Sequence, residues 1–138
     1  MAQRANITLT DAATTPVNHV FKPTTSDKDV IYYKDQTVTT VPLGQAALSI
    51  QQRVPTAQFK SYKFSWKLET PTLEQTSPST STGIQPQPTL AYKNLIAIDL
   101  VFAERSSLQE RKDILAMARD LISEAIVQAE ADSLEQIW

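Results

Sequence analysis

From Ala47 to Glu69 the side chains alternate between apolar and polar. Leu48, Ile50 and Val54 interleave with Ser49, Gln51 and Arg53; further on, Tyr62, Phe64, Trp66 and Leu68 interleave with Ser61, Lys63, Ser65, Lys67 and Glu69. Successive strand residues point to opposite faces. The spacing therefore predicts two neighbouring strands, joined through residues 54–58, that share one apolar face and one polar, lysine-bearing face. Upstream, residues 7–10 and 17–21 flank a turn-rich stretch at 11–16 and predict an N-terminal hairpin. Residues 30–34 and 37–41 are rich in β-branched and aromatic side chains, and predict two more strands across a turn at Asp35 and Gln36. Pro42 and Gly44 then punctuate the chain before the alternating pair.

Residues 70–90 break the pattern with a polar, proline-studded segment that cannot build a core. Strand-like sequence lies on both sides of it, so it reads as a long loop within one sheet and not as a domain boundary. Residues 91–102 return to strand, with Ile96, Ile98, Leu100 and Phe102 on one face and Ala97 and Asp99 on the other. The period then changes from two to about 3.6. Ser107 and Glu110 have the spacing of a capping box, and Leu108, Leu115, Ala118, Ile122, Ala125 and Ile126 form the apolar stripe of an amphipathic helix. No Gly or Pro follows Pro88, so this region is either one long helix or two with a bend near Ser123. A single helix shields only part of a sheet this wide. The remaining apolar area calls for a second copy of the chain, and dimerisation is the expected solution.

Composition narrows the function. A chain of 138 residues is expected to form one domain, residues 1–138. It has no apolar run long enough to cross a bilayer, and its first residues lack an apolar signal region. The absence of cysteine excludes disulfides and thiolate chemistry. Net charge is −2, but the charge is segregated. Residues 47–69 carry four bases against one acid, whereas residues 103–138 carry four bases against eight acids. Such segregation creates a local field that the total hides.

Catalysis finds little support. His19 is the sole histidine and lacks a surrounding catalytic pattern, so it reads as a strand-surface residue. One histidine without cysteine gives no metal-ligand cluster. Asp27 and Asp29 flank Lys28 in what reads as a solvated turn, and Gly44 and Gly83 belong to no phosphate-binding motif. The expectation is a non-enzyme without cofactors. On the polar face, Arg53, Lys63 and Lys67 are placed to meet phosphates, with Ser49, Gln51, Ser61 and Ser65 offering hydrogen bonds. A solvated antiparallel sheet shows the same alternation, so RNA binding and a plain wet face both fit. Tyr62, Phe64 and Trp66 lie on the opposite face and read as core.

The order of these elements, the strand end Lys63-Phe64-Ser65-Trp66-Lys67-Leu68-Glu69-Thr70-Pro71, the strand Ile96-Ala97-Ile98-Asp99-Leu100 and the terminal Trp138 together resemble the coat proteins of small single-stranded RNA bacteriophages, the levivirus type. The resemblance implies an α+β fold: an N-terminal β-hairpin (1–22), a five-stranded antiparallel sheet (30–102) with a long loop (71–89), and a C-terminal helical region (106–135). It implies an intertwined homodimer with a ten-stranded sheet, assembled into an icosahedral T=3 shell around single-stranded genomic RNA. The virion would be assembled in the cytoplasm of a bacterial host, with no membrane partner. It places Ser49, Gln51, Arg53, Ser61, Lys63, Ser65, Lys67 and Asp99 on the RNA-facing side, where family members grip a stem-loop operator that represses translation. At the family's aromatic and amide positions on the last strand this chain has Leu95 and Ala97, or Tyr92 and Asn94 if the register is shifted. Two further readings stay open from the residues: a free dimeric RNA-binding regulator, and a protein-interaction module that forms no shell.

Overall fold

The computed structural model describes residues 4–75, 83 and 86–137. The chain forms two compact units, one of residues 1–54 and 62–101, the other of residues 55–61 and 102–138.

The first unit is built on a six-stranded antiparallel sheet with its strands in chain order. These are β1 (Ile7–Thr10), β2 (Asn18–Asp27), β3 (Val30–Asp35), β4 (Ala47–Arg53), β5 (Ser61–Leu73) and β6 (Leu90–Ala103). The expected hairpin is present as β1 and β2, with Ile7 opposite Phe21 and Thr10 opposite Asn18. Its turn is held by Asp11, whose Oδ1 accepts from the Val17 and Ala13 amides at 2.8 and 3.3 Å. The second hairpin strand does not stop at residue 21. It continues to Asp27 and pairs with β3, with an irregularity between Pro23 and Thr25, where proline has no N–H to offer a ladder. Lys28, at φ 43°, makes the tight turn into β3.

One predicted strand is absent. Residues 36–41 are not extended into the sheet, and β3 pairs directly with β4. The physical cause is Asp35. Its Oδ1 accepts from the Thr37 amide at 2.8 Å and also from the Thr37 hydroxyl. A side-chain acceptor that captures local donors competes with the ladder and bends the chain. A short 3-10 turn, Pro42–Gly44, then leads into β4.

The loop after β5 is shorter than the sequence suggests, because strand pairing runs through Leu73 and resumes at Leu90. The Glu74 amide donates to the Thr89 carbonyl at 2.9 Å, closing the ladder beyond both strand ends. Residues 76–82, 84 and 85, the middle of the predicted loop, lie outside the described residues, as does Trp138.

The second unit carries α1 (Leu108–Ser123) and α2 (Ala125–Ser133). The helical region is therefore two helices. The capping box is present: Ser107 Oγ accepts from the Glu110 amide at 3.2 Å, and Glu110 Oε2 accepts from the Ser107 amide at 2.7 Å. The break falls at Glu124, whose backbone is extended (φ −65°, ψ 132°). Ser123 Oγ donates to the Arg119 carbonyl at 3.0 Å, a back-bond that loosens and bends helices. The Glu124 carbonyl then accepts from the Val127 and Gln128 amides and starts α2. Leu134, at φ 57°, ends it in the left-handed region.

Burial within the single chain is slight. Among the described residues the buried apolar side chains are Phe21 and Tyr33, and no helical residue is buried.

Candidate nucleic-acid interface

Strand register decides which side chains share the polar face. Between β4 and β5, Ser49 lies opposite Lys67, Gln51 opposite Ser65 and Arg53 opposite Lys63. Directly opposed residues of an antiparallel pair project to the same side, with Cβ atoms about 5 Å apart. Six of the eight residues singled out in the sequence therefore form one continuous patch. The seventh, Asp99 on β6, joins them: its Oδ1 accepts from Ser65 Oγ at 2.5 Å, and its Oδ2 pairs with Lys63 Nζ at 3.0 Å. Ser61 is the first residue of β5 and belongs to the second unit.

Asp99 changes the electrostatics of the patch. The Ser65 hydroxyl and then the Lys63 ammonium hold its carboxyl below the usual carboxylate range, with Lys67 adding a weaker pull. Asp99 thus stays ionised and offsets one of the cations on this face. A second such pair, Lys93 Nζ to Glu69 Oε2 at 3.0 Å, lies across the same two strands. The face is a mosaic of ion pairs and hydroxyls, not a uniform cationic sheet. Because the Lys63–Asp99 pair is substantially exposed, its contribution to stability is small.

The register of β3 adds a residue that alternation could not place. Tyr32 lies opposite Ser49 and is exposed, so an aromatic ring does stand on the polar side. With Thr25, Lys34, Ser49, Lys67 and Glu69 it lines a shallow cavity of about 380 Å³. Val30-Ile31-Tyr32-Tyr33 is aromatic and β-branched throughout, so nothing in the local sequence says which tyrosine faces which way. Only the pairing of Tyr32 with Ser49 settles it. The apolar positions behave as alternation predicts: Ile50 is opposite Trp66 and Leu48 opposite Leu68, on the other side.

His19 is more constrained than a surface residue. Its Nδ1 lies 2.6 Å from Asp35 Oδ2 and its Nε2 lies 3.3 Å from Asp11 Oδ2. Both carboxylates are distant in sequence from the histidine, which is why the local pattern did not reveal them. The Thr37 hydroxyl is spent on Asp35, and no group of three or more His, Cys, Asp or Glu side chains among the described residues is arranged so that it could hold a metal ion.

The sheet has one polar and one apolar side, and the two helices that follow leave apolar residues exposed, a surface of the kind that association with another chain covers. The chain belongs to the levivirus coat protein family, whose model matches residues 2–138. Among solved structures, it is similar to a virus-like particle of bacteriophage ESE058 at 30% identity and a TM-score of 0.89, covering 99% of this chain and 100% of that one. The bacteriophage GA protein capsid matches in fold at 19% identity and a TM-score of 0.73, covering 96% of each chain. An unassembled, RNA-binding bacteriophage coat protein dimer matches at 17% identity and a TM-score of 0.62, covering 99% of each chain. No curated protein matches. The role is structural, as a capsid component of a virion, and not enzymatic.

Proposed function

We propose that the chain acts as a single coat-protein domain over residues 1–138 that pairs with a second copy, and that such dimers close into an icosahedral T=3 shell around single-stranded RNA inside a bacterial host. The observation that carries this reading is the exposure of apolar surface. Leu108, Ile114, Leu115, Met117, Leu121, Ile122 and Ile126 of the helices are all exposed. The last strand, β6, is 14 residues long and stands at the edge of the sheet. A long edge strand bearing exposed Leu95, Ile96 and Val101 is a template for pairing with another chain. A second copy adding its own β6 edge to edge extends the sheet, and the helices of each copy cover apolar sheet of the other.

Ser49, Gln51, Arg53, Ser61, Lys63, Ser65, Lys67 and Asp99 then form the RNA-facing side. Lys63, Lys67 and Arg53 meet phosphates, the hydroxyl and amide side chains meet riboses and base edges, and Tyr32 offers a ring on which an unpaired base stacks. Contact with a stem-loop operator belongs to the same reading, with Tyr32 supplying the aromatic surface that Leu95 and Ala97 do not. The test is a double substitution, Lys63→Ala with Lys67→Ala, followed by measurement of particle yield and nucleic-acid absorbance. Shells that assemble but carry less RNA support the assignment. Unaltered RNA content refutes it.

A further inference from the structure

A polar cluster on β2, β3 and the hairpin turn is made of residues that have no part in the proposed RNA contact. His19 on β2 is gripped from both ring nitrogens, by Asp35 at the end of β3 (2.6 Å) and by Asp11 in the hairpin turn (3.3 Å). Asp35 is itself buried, only 2% exposed. It receives the Thr37 amide and hydroxyl on its other oxygen, and Thr37 Oγ1 in turn accepts from the Val20 amide at 3.2 Å. Three separate segments are thus tied to one imidazole: the hairpin turn, the strand β2, and the loop after β3. From the geometry we propose that His19 is a pH-operated clasp that fastens the N-terminal hairpin to the rest of the sheet, closed while the imidazole is cationic and loosened when it loses its proton.

The chemistry follows from the two contacts. A carboxylate only accepts hydrogen bonds, so a ring held by two carboxylates needs an N–H on both nitrogens, and that is the cationic form. Neutral imidazole keeps one N–H. It must turn a lone pair towards Asp11 or towards Asp35. Losing the Asp35 contact leaves a buried carboxylate with only Thr37 for support, the costlier outcome. Losing the Asp11 contact unties the hairpin turn from His19, while the turn keeps its own bonds from the Val17 and Ala13 amides to Asp11 Oδ1. The charged groups acting on His19 are Asp35 and Asp11. The other side chains around it, Leu9, Thr10, Phe21, Ala46, Leu68 and Thr70, line an adjoining cavity of about 190 Å³ and carry no charge.

The direction of the pH dependence is fixed by the shifts. The hydrogen bond to Asp35, and then the one to Asp11, raise the His19 pKa above its ordinary 6.5. Burial opposes ionisation of Asp35, but the Thr37 donors and His19 outweigh it and its pKa lies below the ordinary 3.8. Asp11 is held down by the Val17 amide and by His19. A raised histidine contributes stability that is complete below 6.5 and lost as pH rises through the folded value. Lowered carboxylates contribute stability that is complete above 3.8 and lost as pH falls through theirs. The clasp is therefore strongest between these limits and opens on the alkaline side.

Hydrogen–deuterium exchange of the full-length protein, followed by peptide mass spectrometry from pH 5.5 to 9, tests this. Exchange in peptides spanning residues 7–21 is normalised to peptides from β4 and β5, which removes the intrinsic pH dependence of amide exchange. The clasp predicts that hairpin protection falls relative to the reference strands as pH rises, by up to tenfold for each pH unit by which the His19 pKa is raised. His19→Gln should abolish the pH step and leave the hairpin weakly protected throughout. Asp11→Asn, at an exposed position that endangers the fold less, should shrink the step. Hairpin protection that tracks the reference strands across the whole range in the native chain overturns the proposal, whatever the variants do.

Discussion

Gly44 shows how closely single residues are specified in this chain. A Cβ built there lies 2.9 Å from Leu73 Cδ1 and 3.2 Å from Thr39 Cγ2, so the turn before β4 and the end of β5 meet over a backbone with no side chain. Gly44→Ala should fold but lose about 1 kcal/mol through overpacking, read as a lowered denaturation midpoint at fixed protein concentration. The polar face makes a second case. Asp99→Asn removes the negative partner of Lys63 while keeping an acceptor for Ser65. The variant should hold RNA to higher salt than the native chain, because the face gains net positive charge and binding follows counterion release. An unchanged salt midpoint for RNA release would place Asp99 away from the nucleic acid. The positions that alternation could reach, Ser49, Gln51, Arg53, Lys63, Ser65 and Lys67, were all legible because each stands in a strand with strict period two. His19 with Asp11 and Asp35 was not, because its partners lie 8 and 16 residues away and are joined only by strand register.

Among the elements, those with strong periodicity and local stop signals emerge where the sequence puts them. β4, the first part of β5, most of β6 and the start of α1 are of this kind, while β5 runs on through Leu73 and β6 begins at Leu90, inside the stretch that reads as loop. Two of the misread stretches show what overrides local propensity. Residues 37–41 have high strand propensity but stand just after a carboxylate that takes their donors. Residues 22–27 have the proline and the polar run of a loop, yet extend β2 by pairing with β3 around an irregularity. Propensity yields to specific hydrogen bonding in the first and to pairing in the second. The break between α1 and α2 lacked any Gly or Pro signal and rests on the extended backbone of Glu124. At the other end of α1, Ser107→Ala removes one arm of the capping box and should cost about 1 kcal/mol, seen as fraying of the first helical turn in amide exchange. The Glu110 pKa is lowered chiefly by the Ser107 amide, so the cap is complete above the ordinary value of 4.5 and is lost as pH falls below it.

At the scale of the whole molecule, stability and function are the same question. A chain whose described core contains Phe21 and Tyr33 as its buried apolar residues depends on covering the rest through association. Trp66→Ala removes a large ring from the apolar side of the central strand pair. It should cost ~3–5 kcal/mol and abolish soluble dimer; a stable, unchanged dimer would show that this side is not where copies meet. RNA on the polar side and a second copy on the apolar side and the β6 edge would then leave neither face of the sheet to water. The central claim is that these two coverings produce a closed, RNA-filled shell. Its most direct test is electron microscopy of the protein purified after expression in bacteria, read together with the ratio of nucleic-acid to protein absorbance. Uniform spherical particles carrying RNA are the expected result. Small soluble dimers alone, with or without bound nucleic acid, would contradict the account.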